Sequence, residues 1–119
     1  MLSNTIVLND GVDDASYDLV SRSGMTSLRR EVGVDSSEGS SLKIANTVDI
    51  TAPETKNRHL VQLSWTDYGT NGEPYPASVH VVVTRHKMVD DAKIKLKLVE
   101  LADLISTSAD VEDILLGGN

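Results

Sequence analysis

Ser41-Leu42-Lys43-Ile44-Ala45-Asn46-Thr47-Val48-Asp49-Ile50, followed by Asn57-Arg58-His59-Leu60-Val61-Gln62-Leu63-Ser64-Trp65-Thr66, is the stretch on which the fold turns. Leu42, Ile44 and Val48 alternate with Lys43, Ala45, Thr47 and Asp49, and Val61, Leu63 and Trp65 alternate with Leu60, Gln62, Ser64 and Thr66. A two-residue period is that of a half-buried strand. The segment therefore predicts two strands joined by a short polar connection containing Pro53, which suits a turn or an edge. One face needs a core. The other is flat, mostly uncharged and rich in hydroxyl and amide groups.

The remaining strands are predicted around this pair. Asn4 to Leu8 and Ala15 to Arg22 flank Asn9-Asp10-Gly11, whose residues tolerate positive φ, so an N-terminal hairpin is expected. Asp13 and Asp14 extend its solvated tip; the cluster lacks the regular oxygen ligands, central Gly and distal Glu of a calcium loop. Ser27 to Val34 reads as a further strand with Leu28, Arg30, Val32 and Val34 on one side and Arg29, Glu31 and Gly33 on the other. Asp35 to Ser40 reads as a loop. Asp67 to Pro76 holds two glycines and two prolines in ten residues and is expected to be a loop too long for a tight hairpin. From Ala77 the chain alternates again, with Val79, Val81 and Val83 opposite Ser78, His80, Val82, Thr84 and His86.

Helices close the chain. Asp90 and Asp91 suit a helix N-terminus, and Ile94, Leu98, Leu101 and Ile105 form one apolar stripe within Val89 to Ile105, widened by Leu96 and Val99. Ser108 or Asp110 is expected to cap a second short helix through Leu116, stopped by Gly117-Gly118. Ordering the long helix costs about as much as its own apolar side chains return, so it needs a sheet face or a second subunit to lie on. Strands first and helices last, with helices on one sheet face only, is an α+β layout.

Composition narrows the function. The 119 residues fit one domain, 1–119, and the absence of Phe with one Trp and three Tyr makes an aliphatic core. No cysteine excludes disulfides and thiolate metal sites. Neither a signal peptide nor a membrane-spanning run is expected, which reads as a protein soluble where it is made. The net charge of −7 is uneven: residues 1–40 hold three basic and seven acidic groups, residues 41–88 five and four, and residues 89–119 three and seven. Acidity sits at the two ends and the central sheet is near neutral.

His80 and His86 share a strand face but lie about 20 Å apart at ~3.3 Å per residue, too far to ligate one ion, so with His59 they read as ordinary polar residues and no metal or cofactor is expected. Trp65 reads as core. Lys93, Lys95 and Lys97 read as a solvated helix side. There is no nucleophile elbow, zinc motif, phosphate-binding glycine loop or convincing carboxylate pair, so an enzyme is not expected.

The order and spacing of Thr5-Ile6-Val7-Leu8, Ser41-Leu42-Lys43-Ile44 with Asn57 to Trp65, and Leu104-Ile105-Ser106-Thr107-Ser108 with Val111-Glu112-Asp113-Ile114-Leu115 resemble the coat proteins of single-stranded RNA bacteriophages, the levivirus type. The Pseudomonas-phage branch looks closest. The resemblance runs over nearly the whole chain and is weakest from Ser21 to Ser40 and from Asp67 to Pro76. It implies an N-terminal hairpin, a five-stranded antiparallel sheet and two C-terminal helices that clasp a partner subunit, giving a dimer with one continuous ten-stranded sheet. Dimers of that family build an icosahedral shell in the bacterial host cytoplasm, with sheets facing inward to the RNA and helices outward. The dimer sheet also binds an RNA hairpin and so represses replicase translation.

The resemblance further implies that Lys43, Ala45, Thr47, Gln62, Ser64, Thr66, Ser78, His80 and Thr84 face RNA. Lysine suits phosphate, while hydroxyls and amides suit the base edges of an unpaired loop. Val79, Val81 and Val83, with Ile94, Leu98, Leu101 and Ile105, are the implied dimer contacts. Asp67, Tyr68, Gly69, Thr70, Asn71, Gly72, Glu73, Pro74, Tyr75 and Pro76 are the implied loop around the shell's symmetry axes. Ala45 and Leu60 stand where polar contacts are expected, Asp49 repels phosphate and Gln62 brings no positive charge. Containment of RNA is thus favoured over selective hairpin binding, and a dimeric repressor that does not assemble efficiently is the alternative.

Overall fold

The computed structural model describes residues 2–34, 39–48, 56–86 and 88–117. Two compact units, Met1–His86 and Lys87–Asn119, make up the chain. The first unit is a six-stranded antiparallel meander, β1 (Thr5–Asn9), β2 (Asp14–Ser23), β3 (Thr26–Glu31), β4 (Ser41–Val48), β5 (Lys56–Tyr68) and β6 (Pro74–His86), in the order β1-β2-β3-β4-β5-β6. The expected N-terminal hairpin is present and is continuous with the rest: β1 and β2 are the first two strands of the same sheet. Asp49, Ile50, the Pro53 connection through Thr55, and residues 35–38 of the expected loop lie outside the described residues.

Local chemistry explains the first turn. Gly11 takes φ +101, a conformation that glycine alone adopts without strain. The Asp10 carboxylate accepts the backbone N–H groups of Val12 and Asp13, each at 2.8 Å. These bonds, the one from Asp13 foremost, hold the Asp10 carboxyl below its ordinary value. Farther along β2 the register shifts between Leu19 and Ser21, so Val20 forms a bulge.

The third strand departs from the sequence expectation. It ends at Glu31, leaving Val32, Gly33 and Val34 outside it. Its packed side is the one carrying Ser27 and Arg29, not the one carrying Leu28. Arg29 is 0% exposed between Leu19 and Leu42 in the cross-strand register. Its Nη1 donates to Ser27 Oγ at 2.7 Å and its Nη2 to the Ser3 carbonyl at 2.7 Å, while Nε has no partner. The guanidinium thus ties the segment ahead of β1 to the middle of the sheet. Beside it Leu42, 2% exposed, and Tyr17 are the buried hydrophobic centre.

A second difference lies at the far end. The β5 strand runs on to Tyr68 and β6 begins at Pro74, with Thr66 opposite Pro76, Asp67 opposite Tyr75 and Tyr68 opposite Pro74. The connection is therefore only residues 69–73, closed by the Gly69 N–H donating to the Glu73 carbonyl at 2.9 Å, with Gly72 at φ +81. Asp67, Tyr68, Pro74, Tyr75 and Pro76, expected in a loop, are strand residues. Two prolines fit because β6 is an edge strand, where a nitrogen without a hydrogen is harmless if it faces away from the ladder.

The second unit holds α1 (Asp91–Ser106) and α2 (Ser108–Leu115). Asp90 caps α1 by accepting the Ala92 N–H at 3.0 Å, as the paired aspartates suggested. The expected cap of α2 is corrected: Ser108 is its first helical residue, Thr107 is the N-cap position, and no side chain caps it. The Thr107 hydroxyl instead donates back to the Asp103 carbonyl at 3.1 Å. Gly117, at φ +89, ends the helix as expected.

Arg29→Ala removes two hydrogen bonds from a charged donor and leaves Ser27 buried without a partner. We predict a loss of about 2–4 kcal/mol in denaturant unfolding. An unchanged midpoint would show that Arg29 does not hold the sheet's first strands.

Candidate nucleic-acid interface

Side chains directly opposite each other in an antiparallel ladder share a face, so the register assigns every strand residue to one side. Ser41 stands opposite Ser64 and Ser64 opposite Ser78; the next row is Lys43, Gln62 and His80; then Ala45, Leu60 and Val82; then Thr47, Arg58 and Thr84. Thr66 lies beyond, opposite Pro76. All nine residues expected to face RNA, Lys43, Ala45, Thr47, Gln62, Ser64, Thr66, Ser78, His80 and Thr84, therefore occupy one face of the β4-β5-β6 sheet.

The sequence reading missed three polar neighbours there. Ser41 and Arg58 have the same parity as Lys43 and Gln62, a signal available in the alternation itself. The sequence pattern groups Arg30 with Leu28, Val32 and Val34; the register puts Arg30 and Leu28 on this polar face, Arg30 opposite Ser41 and Leu28 opposite Lys43. The face is not uniformly polar. Ala45, Leu60 and Val82 form a small apolar strip between the Lys43 and Arg58 rows.

The opposite face carries Leu42, Leu63 and Val79 in one row and Ile44, Val61 and Val81 in the next, with Asn46, His59 and Val83 beyond and Trp65 opposite Ala77. His59 Nδ1 lies 2.8 Å from Asn46 Oδ1 in a part-buried pair. This is the side chemistry expected of the core, yet Val61 is 45% and Val79 55% exposed. In α1 and α2 no side chain is buried, and Leu98 is 37% exposed. Lys97 Nζ is 3.0 Å from Glu100 Oε2, so one of the three helix lysines is engaged in a solvated i,i+3 pair. Among the described residues no three His, Asp or Glu side chains are grouped to hold a metal ion, and no helix is long and apolar enough to cross a membrane.

Neither a family model nor a curated protein matches this sequence. Solved structures do match. The virus-like particle of bacteriophage GQ-907 aligns with a TM-score of 0.73 at 18% identity, covering 98% of this chain and 92% of that one. The virus-like particle of Beihai levi-like virus 21 aligns with a TM-score of 0.72 at 16% identity over 93% and 90%. A structure described as an unassembled virus coat protein dimer, a bacteriophage RNA-binding dimer, aligns with a TM-score of 0.58 at 14% identity over 98% and 95%. A six-stranded antiparallel meander followed by two C-terminal helices, matched over nearly its full length, is the fold of the single-stranded RNA phage coat proteins.

Proposed function

We propose that this chain is a capsid protein that assembles as homodimers into an icosahedral shell around single-stranded RNA. The observation that carries the reading is the near full-length likeness to subunits of virus-like particles, 98% of this chain against 92% of one of them. The exposed apolar residues support it: Val61 and Val79 on the sheet, and Leu96, Leu98, Val99, Leu101 and Ile105 on α1, are aliphatic side chains that a second copy can cover. In the proposed dimer β6, at the sheet edge, continues into its counterpart to give one extended sheet, and the helices of one copy clasp the other. Val79, Val81, Val83, Ile94, Leu98, Leu101 and Ile105 are the contacts this arrangement uses.

The polar face then looks into the shell. Lys43, Arg58 and Arg30 supply charge, and the serines, threonines, Gln62 and His80 supply hydrogen-bonding groups toward RNA. The five-residue turn 69–73, flanked by Tyr68 and Pro74, is the segment proposed to meet neighbouring dimers at the symmetry axes. Repression of replicase translation through an RNA hairpin, assembly in the host cytoplasm, and kinship with the Pseudomonas-phage branch belong to the same proposal and rest on the sequence resemblance. The role is structural, with no catalysis assigned.

Expression of the protein is expected to yield large particles with nuclease-protected RNA in electron microscopy and light scattering. A stable monomer at micromolar concentration would contradict the reading, and RNA-binding dimers that never form particles would favour the repressor alternative. Leu98→Asp places a charge in the helix contact and is expected to abolish soluble dimers; a normally sized mutant would show that the contact lies elsewhere. Lys43→Glu is expected to lower the RNA retained per particle while leaving the dimer folded. Unchanged RNA content would remove Lys43 from the interface.

A further inference from the structure

The hairpin between β5 and β6 carries the one Asn-Gly pair in the sequence, Asn71-Gly72, and the run from Asn71 to Glu73 is exposed. The Gly72 N–H donates to the Gly69 carbonyl at 3.0 Å, closing a β-turn with Asn71 as its third residue. The Asn71 N–H donates to Glu73 Oε2 at 3.2 Å, while among the described residues none hydrogen-bonds the Asn71 side-chain amide. Attack by a backbone nitrogen on the side-chain carbonyl carbon of the preceding asparagine closes a five-membered ring, and glycine leaves that nitrogen unscreened by a Cβ. The space is open here as well: a Cβ placed on Gly72 would meet nothing within 4 Å.

The other X-Gly and asparagine positions lack this combination. Asn9 is held at both ends, its Oδ1 accepting the Gly11 N–H and its Nδ2 donating to Asp14, each at 2.7 Å. Asn46 is paired with His59 in β4, the Asn57 Oδ1 is buried in β5, and Asn4 precedes the branched Thr5. In the Asp10-Gly11 turn the N–H groups of Asp13 and Val12 hold the Asp10 carboxyl ionised, and a carboxylate is a poor electrophile.

We propose that Asn71-Gly72 is a self-modifying site at which Asn71 deamidates to aspartate and isoaspartate, adding a negative charge to the hairpin tip. The Gly72 nitrogen bonds to Asn71 Cγ, the Cγ–Nδ2 bond breaks, and ammonia leaves with the Gly72 proton, giving a cyclic imide. Water then opens the ring. Cleavage at Cγ yields aspartate, and cleavage at the main-chain carbonyl yields isoaspartate, whose backbone is longer by one carbon. The Gly72 bond to Gly69 must open first, so the folded turn reacts more slowly than a free peptide. The new carboxylate stands beside Glu73 on a tip that also carries Asp67. On the capsid reading, on which this consequence rests, copies of the turn meet around symmetry axes, so like charges repel there and loosen the shell contact.

The test incubates the full-length protein at mildly alkaline pH and follows each asparagine by peptide mass spectrometry, with isoaspartyl methyltransferase labelling of the longer product. Conversion is expected at Asn71 about tenfold or more faster than at Asn4, Asn9, Asn46 or Asn57, and faster again in a free peptide of residues 68–75. Gly72→Ala screens the nitrogen and is expected to slow conversion about tenfold or more. Since Gly72 sits at φ +81, where alanine is strained, Asn71→Gln, which would need a larger ring, gives a second slowed variant. An intact Asn71 in the folded protein after the free peptide has fully converted would overturn the site. Particles of Asn71→Asp are expected to dissociate at lower denaturant than unaltered ones, with the gap shrinking as salt rises. Equal stability at every salt concentration would overturn the loosened contact and leave the chemistry standing. Failure of the unaltered protein to form particles would overturn the capsid reading, and with it the loosened contact, while conversion at Asn71 is still read on the unassembled protein.

Discussion

A sixteen-residue helix without one buried side chain is the constraint to which the rest of this structure answers. Isolated helices of that length are marginal in water, because each ordered residue loses conformational freedom and tertiary packing must offset that cost. The α1 sequence is aliphatic on a broad surface, with Leu96, Leu98, Val99, Leu101, Leu104 and Ile105 all exposed within the chain. The sheet has the complementary need, since Val61 and Val79 stand open on its apolar face. Both needs are met at once if two copies share one core. Obligate dimers commonly lack a stable folded monomer for this reason, and a chain whose buried hydrophobic residues, among those described, are Leu42 and Tyr17 fits that pattern.

The same division into faces accounts for the proposed role. Strand alternation puts the aliphatic residues on one side and hydroxyls, amides and a few cations on the other; charge is also uneven along the chain, with acidic groups concentrated in the first forty residues and in residues 89–119 and residues 41–88 near neutral. An interior that holds RNA without strong local basicity suits containment of a long polyanion more than tight grip on one hairpin. Lys43, Arg58 and Arg30 are separate charges on one sheet face, interrupted by the Ala45, Leu60 and Val82 strip. On the proposed reading, discrimination between RNA sequences would depend on hydrogen-bonding groups whose spacing the ladder sets.

Much of this was legible in the sequence because the two-residue period is directly visible in β4, β5 and β6, and because Asp90 and Gly117 mark helix ends with chemistry that has few other uses. The polar face was legible for the same reason: once one residue's side is known, its strand's parity assigns the others. Where reading failed, tertiary context had overruled local pattern. Arg29 reads as solvent-exposed in any single strand; only the approach of the Ser3 carbonyl and the Ser27 hydroxyl makes its burial tolerable. The Pro- and Gly-rich run from Asp67 to Pro76 reads as a loop because proline usually ends strands, whereas an outer strand has one side on which a missing N–H costs nothing.

The central claim, that the fold is completed by a second copy, is tested most directly by the concentration dependence of unfolding. Denaturation followed by circular dichroism from nanomolar to tens of micromolar protein, under conditions that prevent shell assembly, should give one transition whose midpoint rises steadily with concentration, as mass action requires when folding and dimerisation are one event. A midpoint independent of concentration, with a folded monomer at the dilute end, would contradict the account.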